Sequence, residues 1–461
     1  MEQTIKQRIY LEIETKKREF NSRCYFALKA ARKGYSVVIA KKNKLYKNLE
    51  KLQNGHFILK SAGIKAHDIS LKLKKLNYIP YGSDEEGGII ISPLDTSRRV
   101  LPKALDQIKF FFSWGNDEKN AILDSMPEFK EKIKSVGNPR VDLLKKKNQF
   151  IYVKEIKRIK EKYGDFNLYA TSFHKNNAIG NSKNPNWLED QLKVGLVLKE
   201  HYNHNKLVDS MQKKNLEKTL DFFKFYDQQK NLPKLIVRPH PAEDNETYTK
   251  EIKKLKNIIF IDDQLSIIPW ILSCNFFISY NCTAQIECSL LGKRPINLEF
   301  ETDKDLNFDI TRLVSKNINK NIDVINYLRQ EKKNYDNFEK LKLINDLALR
   351  INNVEDKECA VENICDQINK VKVINLKKDI EISKTKFKLI KLYNIIINYF
   401  ILIRTLFSKE KKENYKMSLK KNLGISLKEI EENIKTINNI YNYGDFSVKE
   451  ILPSIFCIEK K

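Results

Sequence analysis

KLIVRPHPAE (residues 234–243) and NFFISYNCTAQIECSLLGKRPINL (residues 275–298) decide the architecture. Each opens as an apolar run of strand length and ends in polar residues: Arg238, His240 and Glu243 in the first, Ser279, Asn281 and Thr283 in the second, just before a helical pattern. Residues 234–298 therefore read as strand, loop, helix, strand, loop, helix, strand, with chemical residues only at the turns. In open α/β sheets ligands bind at the carboxyl ends of strands, and the amino end of a following helix favours an anion. Both clusters are first candidates for a site.

The same alternation extends towards the amino terminus. RIYLEIE (8–14), YSVVIAKK (35–42), HFILKS (56–61), NYIPYGSDEEG (77–87), KFFFSWG (109–115) and KIKSVGNPRVD (132–142) are short apolar runs separated by helical patterns. That is the pattern of a parallel sheet with crossover helices. Gly34 stands where a glycine would stop the first long helix. A Lys-rich helical connector follows over 145–163, then the strand NLYATSF (167–173) and a second α/β region with a polar helical insert over 186–229, in which His201 and His204 are expected to face solvent. The expected fold class is α/β with two Rossmann-like domains, a cleft between them and a helical basic C-terminal appendage. The expected domains are 1–145, 146–370 and 371–461.

With 461 residues and 41% hydrophobic content the chain can bury more than one core. Its formal net charge of +26 points to an anionic partner: nucleic acid, an acidic membrane face or a phosphorylated ligand. AT-rich coding is an equally open source of that charge, since Lys, Asn and Ile are all abundant. Seven cysteines without CxxC fit free thiols in a reducing cytosol. The amino terminus has no apolar signal core, and no window is long and apolar enough for a membrane span, so the expected location is cytoplasmic.

Residues 384–412, KTKFKLIKLYNIIINYFILIRTLFSKEKK, hold eight basic residues against one acidic. Lys391, Asn394 and Asn398 make one narrow polar stripe on a mostly apolar helix. Such a helix lies in a membrane interface beside anionic lipid or buries itself against a domain, and both readings stand. The tail continues as a charged helix from Ser426 and a strand-like KEILPSIFCIEK (449–460).

Candidate chemistry falls in three places. Ser279, Asn281 and Thr283 bring capping groups and open amides to one helix start, where a phosphate would fit; Glu287, one turn on, would accept from ribose hydroxyls. The alternative is plain capping. In Arg238-Pro-His-Pro241 two prolines fix the backbone around His240 beside a guanidinium, a pair able to hold a phosphate. The alternative there pairs Arg238 with Glu243 or Asp244. In the first domain Asp84, Glu85 and Glu86 lie in a glycine-bracketed loop, where one carboxylate could take a proton from a hydroxyl. Solvated turn acids are the alternative, and Glu14 is a second candidate acid at that edge. There is no Walker loop or GxGxxG, and Asp262-Asp263 reads as a turn, so no metal and no bound cofactor are expected.

Taken in order, LEIETKKREF, SDEEG, FFFSWG, VGNPRVDLL, VRPHPAE and SYNCTAQIECSLLGKRPINLE resemble the bacterial surface carbohydrate biosynthesis proteins. These are similar to GT-B glycosyltransferases such as the capsule β-Kdo transferases and, more distantly, to teichoic-acid glycerophosphotransferases. The resemblance covers about residues 8–370. It implies that the second domain holds a nucleotide-activated sugar donor, with the family's His-Pro element on His240 and Pro241, its donor loop on Ser279, Asn281 and Thr283 followed by Glu287, and its acidic loop on Asp84, Glu85 and Glu86. One departure stands out: where the family has Thr-Asn-Phe, this chain has Thr171-Ser172-Phe173 followed by His174. The implied activity is sugar transfer to a surface glycan, capsule or lipopolysaccharide acceptor, glycan or lipid-linked, and the basic helix over 384–412 is expected to keep the chain near that acceptor, peripheral at the inner face of the membrane. A polyol-phosphate transferase or sugar-nucleotide epimerase of the same fold is the alternative. A non-enzymatic nucleic-acid binder is more remote, because no aromatic-interleaved basic module is present.

Overall fold

The computed structural model describes residues 6–89, 93–195, 197–303, 306, 308–330, 337–355, 357–406, 415, 418–419 and 424–461. They fold as two compact units. One contains Met1–Ile151, Ile344–Ile401 and Asn422–Lys461, the other Tyr152–Leu343 and Leu402–Lys421.

In the first unit the strands are β1 (Arg8–Ile13), β2 (Ser36–Lys41), β3 (His56–Ile58), β4 (Ile79–Ser83), β5 (Phe111–Ser113), β6 (Ile133–Ser135), and, from the far end of the chain, β13 (Phe446–Leu452) and β14 (Ile455–Lys460). Their order is β13-β14-β2-β1-β3-β4-β5-β6. The six strands from β2 to β6 are parallel, and β14 and β13 add antiparallel pairs at the β2 edge. All six residues of β1 are buried, as a central parallel strand requires when helices cover both faces. The helix Lys16–Arg32 ends where Gly34 takes φ +94, a conformation open to glycine at little cost. The strand-like tail is thus an edge hairpin of the first sheet.

The second unit holds β7 (Phe166–Ala170), β8 (Lys234–Arg238), β9 (Ile258–Phe260), β10 (Phe277–Ser279), β11 (Ile296–Leu298) and β12 (Lys316–Ile318). The order is β12-β11-β10-β7-β8-β9, parallel throughout. One face packs on Phe222, Phe223, Tyr226 and Tyr248, the other on Trp270, Ile271 and Cys288. Each unit is thus built on a Rossmann-like sheet of parallel strands with crossover helices, the first with an antiparallel edge hairpin, which is the α/β class expected. The polar insert forms the helices Trp187–Lys193 and Tyr202–Asp227. His201 departs from expectation: its side chain is only 12% exposed, beside Glu200, and His204 is likewise half-buried rather than solvent-facing. All seven cysteines are free thiols.

Candidate functional site

Register aligns the strand ends of the second sheet: Ser279 of β10 pairs with Ala170 of β7, and Ala170 pairs with Arg238 of β8. The residues after those three positions, 171–174, 239–243 and 280–283, therefore leave one edge of the sheet together. This is the edge at which open α/β sheets bind ligands.

His240 sits in a turn with little freedom. Prolines flank it, its own N–H donates to Thr171 Oγ1 (3.2 Å), and its carbonyl accepts from the Glu243 amide (2.9 Å). The Ala242 amide donates to His240 Nδ1 (3.2 Å). That bond assigns the neutral ring's proton to Nε2, so the imidazole presents a donor at Nε2. The His174 ring lies beside it, with ring centroids 4.9 Å apart.

Arg238 is buried, and its guanidinium donates to Asp263 Oδ1 (2.7 Å) and Leu265 O (2.9 Å) while lying 5.3 Å from the Trp270 ring centre. Its partner is thus Asp263 rather than Glu243 or Asp244, and it ties the end of β8 to the loop after β9. Asp244 caps the helix Asn245–Ile252. Glu243 is fully buried and accepts from Thr171 Oγ1 (2.7 Å), the Phe173 amide (2.7 Å) and the Tyr248 hydroxyl. Burial raises its carboxyl to about 7 against the lowering effect of those donors.

At the end of β10, Ser279 is buried and its Oγ meets no partner among the described residues. Asn281 takes φ +42, a left-handed conformation that asparagine tolerates. Its amide donates to Asn297 Oδ1 (2.9 Å) and its side-chain oxygen accepts from Phe308 N (2.9 Å) and Thr311 Oγ1 (3.0 Å). Asn281 therefore holds two loops in register. Thr283 precedes the helix Ala284–Leu290 without capping it through its side chain, and Glu287 lies half-buried on the first turn.

In the first unit the acidic loop follows β4 and is densely paired. Asp84 accepts from Arg99 Nε (2.9 Å) and Nη2 (2.7 Å) and from the Glu86 amide (2.7 Å). Glu85 is buried against Arg23 (2.5 Å) and Arg140 (3.9 Å). Burial would raise its carboxyl, but Arg23, Arg18, Arg140 and Lys60 outweigh it and hold the group well below the usual carboxylate range. Glu86 meets Arg18 (3.1 Å) and Arg99 (3.4 Å) and keeps 30% of its side chain exposed. Glu14, just beyond β1, meets Lys60 (3.1 Å) and Lys42 (3.6 Å) at similar exposure. Asp84 and Glu85 are thus structural ion-pair partners, and Glu86 and Glu14 are the acids of this edge that retain exposed surface.

The glycines of that loop have a steric reason. Trp114 Nε1 donates to Asp84 O (2.6 Å), which lays the indole across Gly87 and Gly88. A Cβ at Gly87 would stand 2.6 Å from Trp114 Cδ1, and one at Gly88 would stand 3.2 Å from Cε3. The cations around the acids, Arg18, Arg23, Lys60 and Arg99, are not singled out by the sequence as their partners. Thr171 and His174 carry a usable signal, because NLYA is a strand and polar residues follow it directly. The four cations carry none, being scattered through helices and loops.

No family model matches the sequence, and no curated protein matches it, so the resemblance to capsule β-Kdo transferases has no family match behind it. Among solved structures the chain is similar to the wall teichoic acid polymerase TagF in a CDPG soak: 12% identity over 79% of this chain and 88% of that one, TM-score 0.47. It is similar to UDP-GlcNAc 2-epimerase from Neisseria meningitidis bound to UDP-GlcNAc, at 11% identity over 80% and 100%, TM-score 0.48. The UDP-GlcNAc 2-epimerase of Methanocaldococcus jannaschii, in complex with UDP-GlcNAc and UDP, matches at 14% identity over 75% and 99%, TM-score 0.42. At that level the similarity assigns no chemistry to any residue here.

Proposed function

We propose that this chain is a GT-B-type glycosyltransferase that moves a sugar from a nucleotide-activated donor to a surface polysaccharide or lipopolysaccharide acceptor, working on the cytoplasmic side of the membrane. The observation that carries this reading is His240, fixed at the carboxyl edge of the second sheet with Nδ1 occupied by a backbone donor and Nε2 presenting its proton. A ring so arranged donates to an anion and does not take up a proton at Nε2. Its role is therefore to stabilise the charge that develops on the departing phosphate, a task for preorganised donors.

His174 supplies a second imidazole to the same phosphate. Ser279 Oγ and the amides near Thr283 complete the donor contacts, and Glu287 accepts from the ribose. Arg238 and Asn281 act through other residues, holding the loops in which these groups sit. Glu86 takes the acceptor proton as the acceptor oxygen forms its bond to the anomeric carbon and the phosphate leaves. Asp84 and Glu85 keep the acidic loop in place.

The test is sugar transfer by His240→Ala. It should lose transfer by more than about a hundredfold, in the range seen when one preorganised donor is removed, with an unchanged melting temperature. Full activity in this variant would contradict the assignment. Conversion of a UDP-sugar to its epimer with no acceptor present would contradict the transferase reading as a whole.

A further inference from the structure

The helix Lys384–Leu406 carries an apolar face that the described fold leaves uncovered. Leu389, Leu392, Tyr393, Ile396, Tyr399, Phe400 and Ile403 are each between 43% and 62% exposed. At about 100° per residue these seven positions fall within one arc of about 120°, the width of a full amphipathic face. The partly buried Phe387, Ile390 and Ile397 lie on the opposite side. That side is fastened to the first unit: Lys391 Nζ meets Glu450 of β13 (2.6 Å), and Ile382, just before the helix, packs on the first unit's core. The helix is thus fastened at Lys391 and leaves this arc exposed, with Leu402, 45% exposed, outside it.

We propose that this face lies in the surface of an anionic lipid bilayer, along its plane. No described helix is long and apolar enough to cross a membrane, which leaves an in-plane position as the way to bury such a stripe in lipid. Charge selects lipid over a second copy of the chain. Lys384, Lys386 and Lys388 are exposed beside the stripe, and residues 384–406 contain no acidic residue. Two such helices brought together would repel, whereas an anionic surface attracts them and lets the lysine stems lie along the apolar boundary. The sequence continues basic through Lys409, Lys411 and Lys412, which lie outside the described residues. This inference stands on the helix alone and does not depend on the transferase reading.

Flotation of the full chain with phosphatidylcholine vesicles, with and without phosphatidylglycerol, tests it. Binding should require phosphatidylglycerol and weaken as ionic strength approaches 1 M, where the screening length falls to about 3 Å. Leu392→Glu, Ile396→Glu and Phe400→Glu together should abolish flotation while leaving the melting temperature unchanged, because all three side chains are exposed. Lys384→Gln, Lys386→Gln and Lys388→Gln together should weaken it by more than about tenfold. Tyr393→Trp should show indole emission quenched by brominated lipid. The proposal is overturned by absence of flotation, by flotation that survives the triple Glu variant, or by light scattering that shows a dimer dissolved by that variant.

Discussion

Glu243 has no exposed surface, yet it receives donors from Thr171, Phe173 and Tyr248 and sets the turn that carries His240. Burial lifts its folded value from 4.5 to about 7, against the donors from Tyr248, Thr171, Phe173 and Asn177. Between those two values the folded chain holds a proton that the unfolded chain has released. The stabilisation is therefore complete below pH 4.5 and disappears as pH rises through about 7, at roughly 1.4 kcal/mol for each pH unit between the two values and so about 3 kcal/mol in all. Melting curves across that pH range should show wild type losing about this much relative to Glu243→Gln, which cannot titrate; two parallel curves would contradict the account. The sequence offers Glu243 or Asp244 as the partner of Arg238. Proximity along the chain favours that pairing, but the true partner, Asp263, is 25 residues away and is brought near only by the pairing of β8 with β9.

Elements are legible where burial is complete. Central parallel strands read as short, mostly apolar runs: β1 and β8 fall within the stretches that read that way, and β7 overlaps its stretch but starts one residue earlier, at Phe166. The glycines of the acidic loop are legible as a turn but not as a packing surface, because Trp114 comes from the end of another strand. That packing gives a direct prediction. Gly87→Ala would push its Cβ into Trp114 and Glu118, and overpacking of this kind should lower stability by about 1–3 kcal/mol, read by thermal melting, with a shift in indole fluorescence. Unchanged melting would mean that the indole does not lie over the glycine. The ion pairs around Asp84 and Glu85 follow the same logic: the acids can be read from sequence, their cations cannot, and so the acid with exposed surface, Glu86, cannot be told there from its neighbours.

Across the whole molecule, the least legible feature is the return of the chain to the first unit. Asn353 is fully buried, accepts from Asn138 N (3.0 Å), and donates to Asn138 O (3.0 Å) and Asp142 Oδ1 (2.7 Å). Nothing near residue 353 in sequence announces a partner 215 positions earlier, since such contacts are fixed by packing rather than by local pattern. Asn353→Ala should leave the buried Asn138 N–H without an acceptor, take one donor each from Asn138 O and Asp142, and lower stability by about 1–3 kcal/mol in a denaturant titration. A variant of wild-type stability would show that this contact does not hold the returning segment. Of the positive charge, open in sequence between composition and function, Lys384, Lys386 and Lys388 stand exposed beside an apolar stripe.

The central claim is that the second unit holds an activated nucleotide at His240. The most direct measurement is the melting temperature of wild type and His240→Ala with CMP-, UDP-, GDP- and CDP-linked compounds. A ligand at about a hundred times its dissociation constant stabilises the folded state by about 2.7 kcal/mol. The account predicts a clear rise in melting temperature with one class of nucleotide in the wild type and its loss in the variant. No rise with any of them, or an equal rise in both proteins, would contradict it.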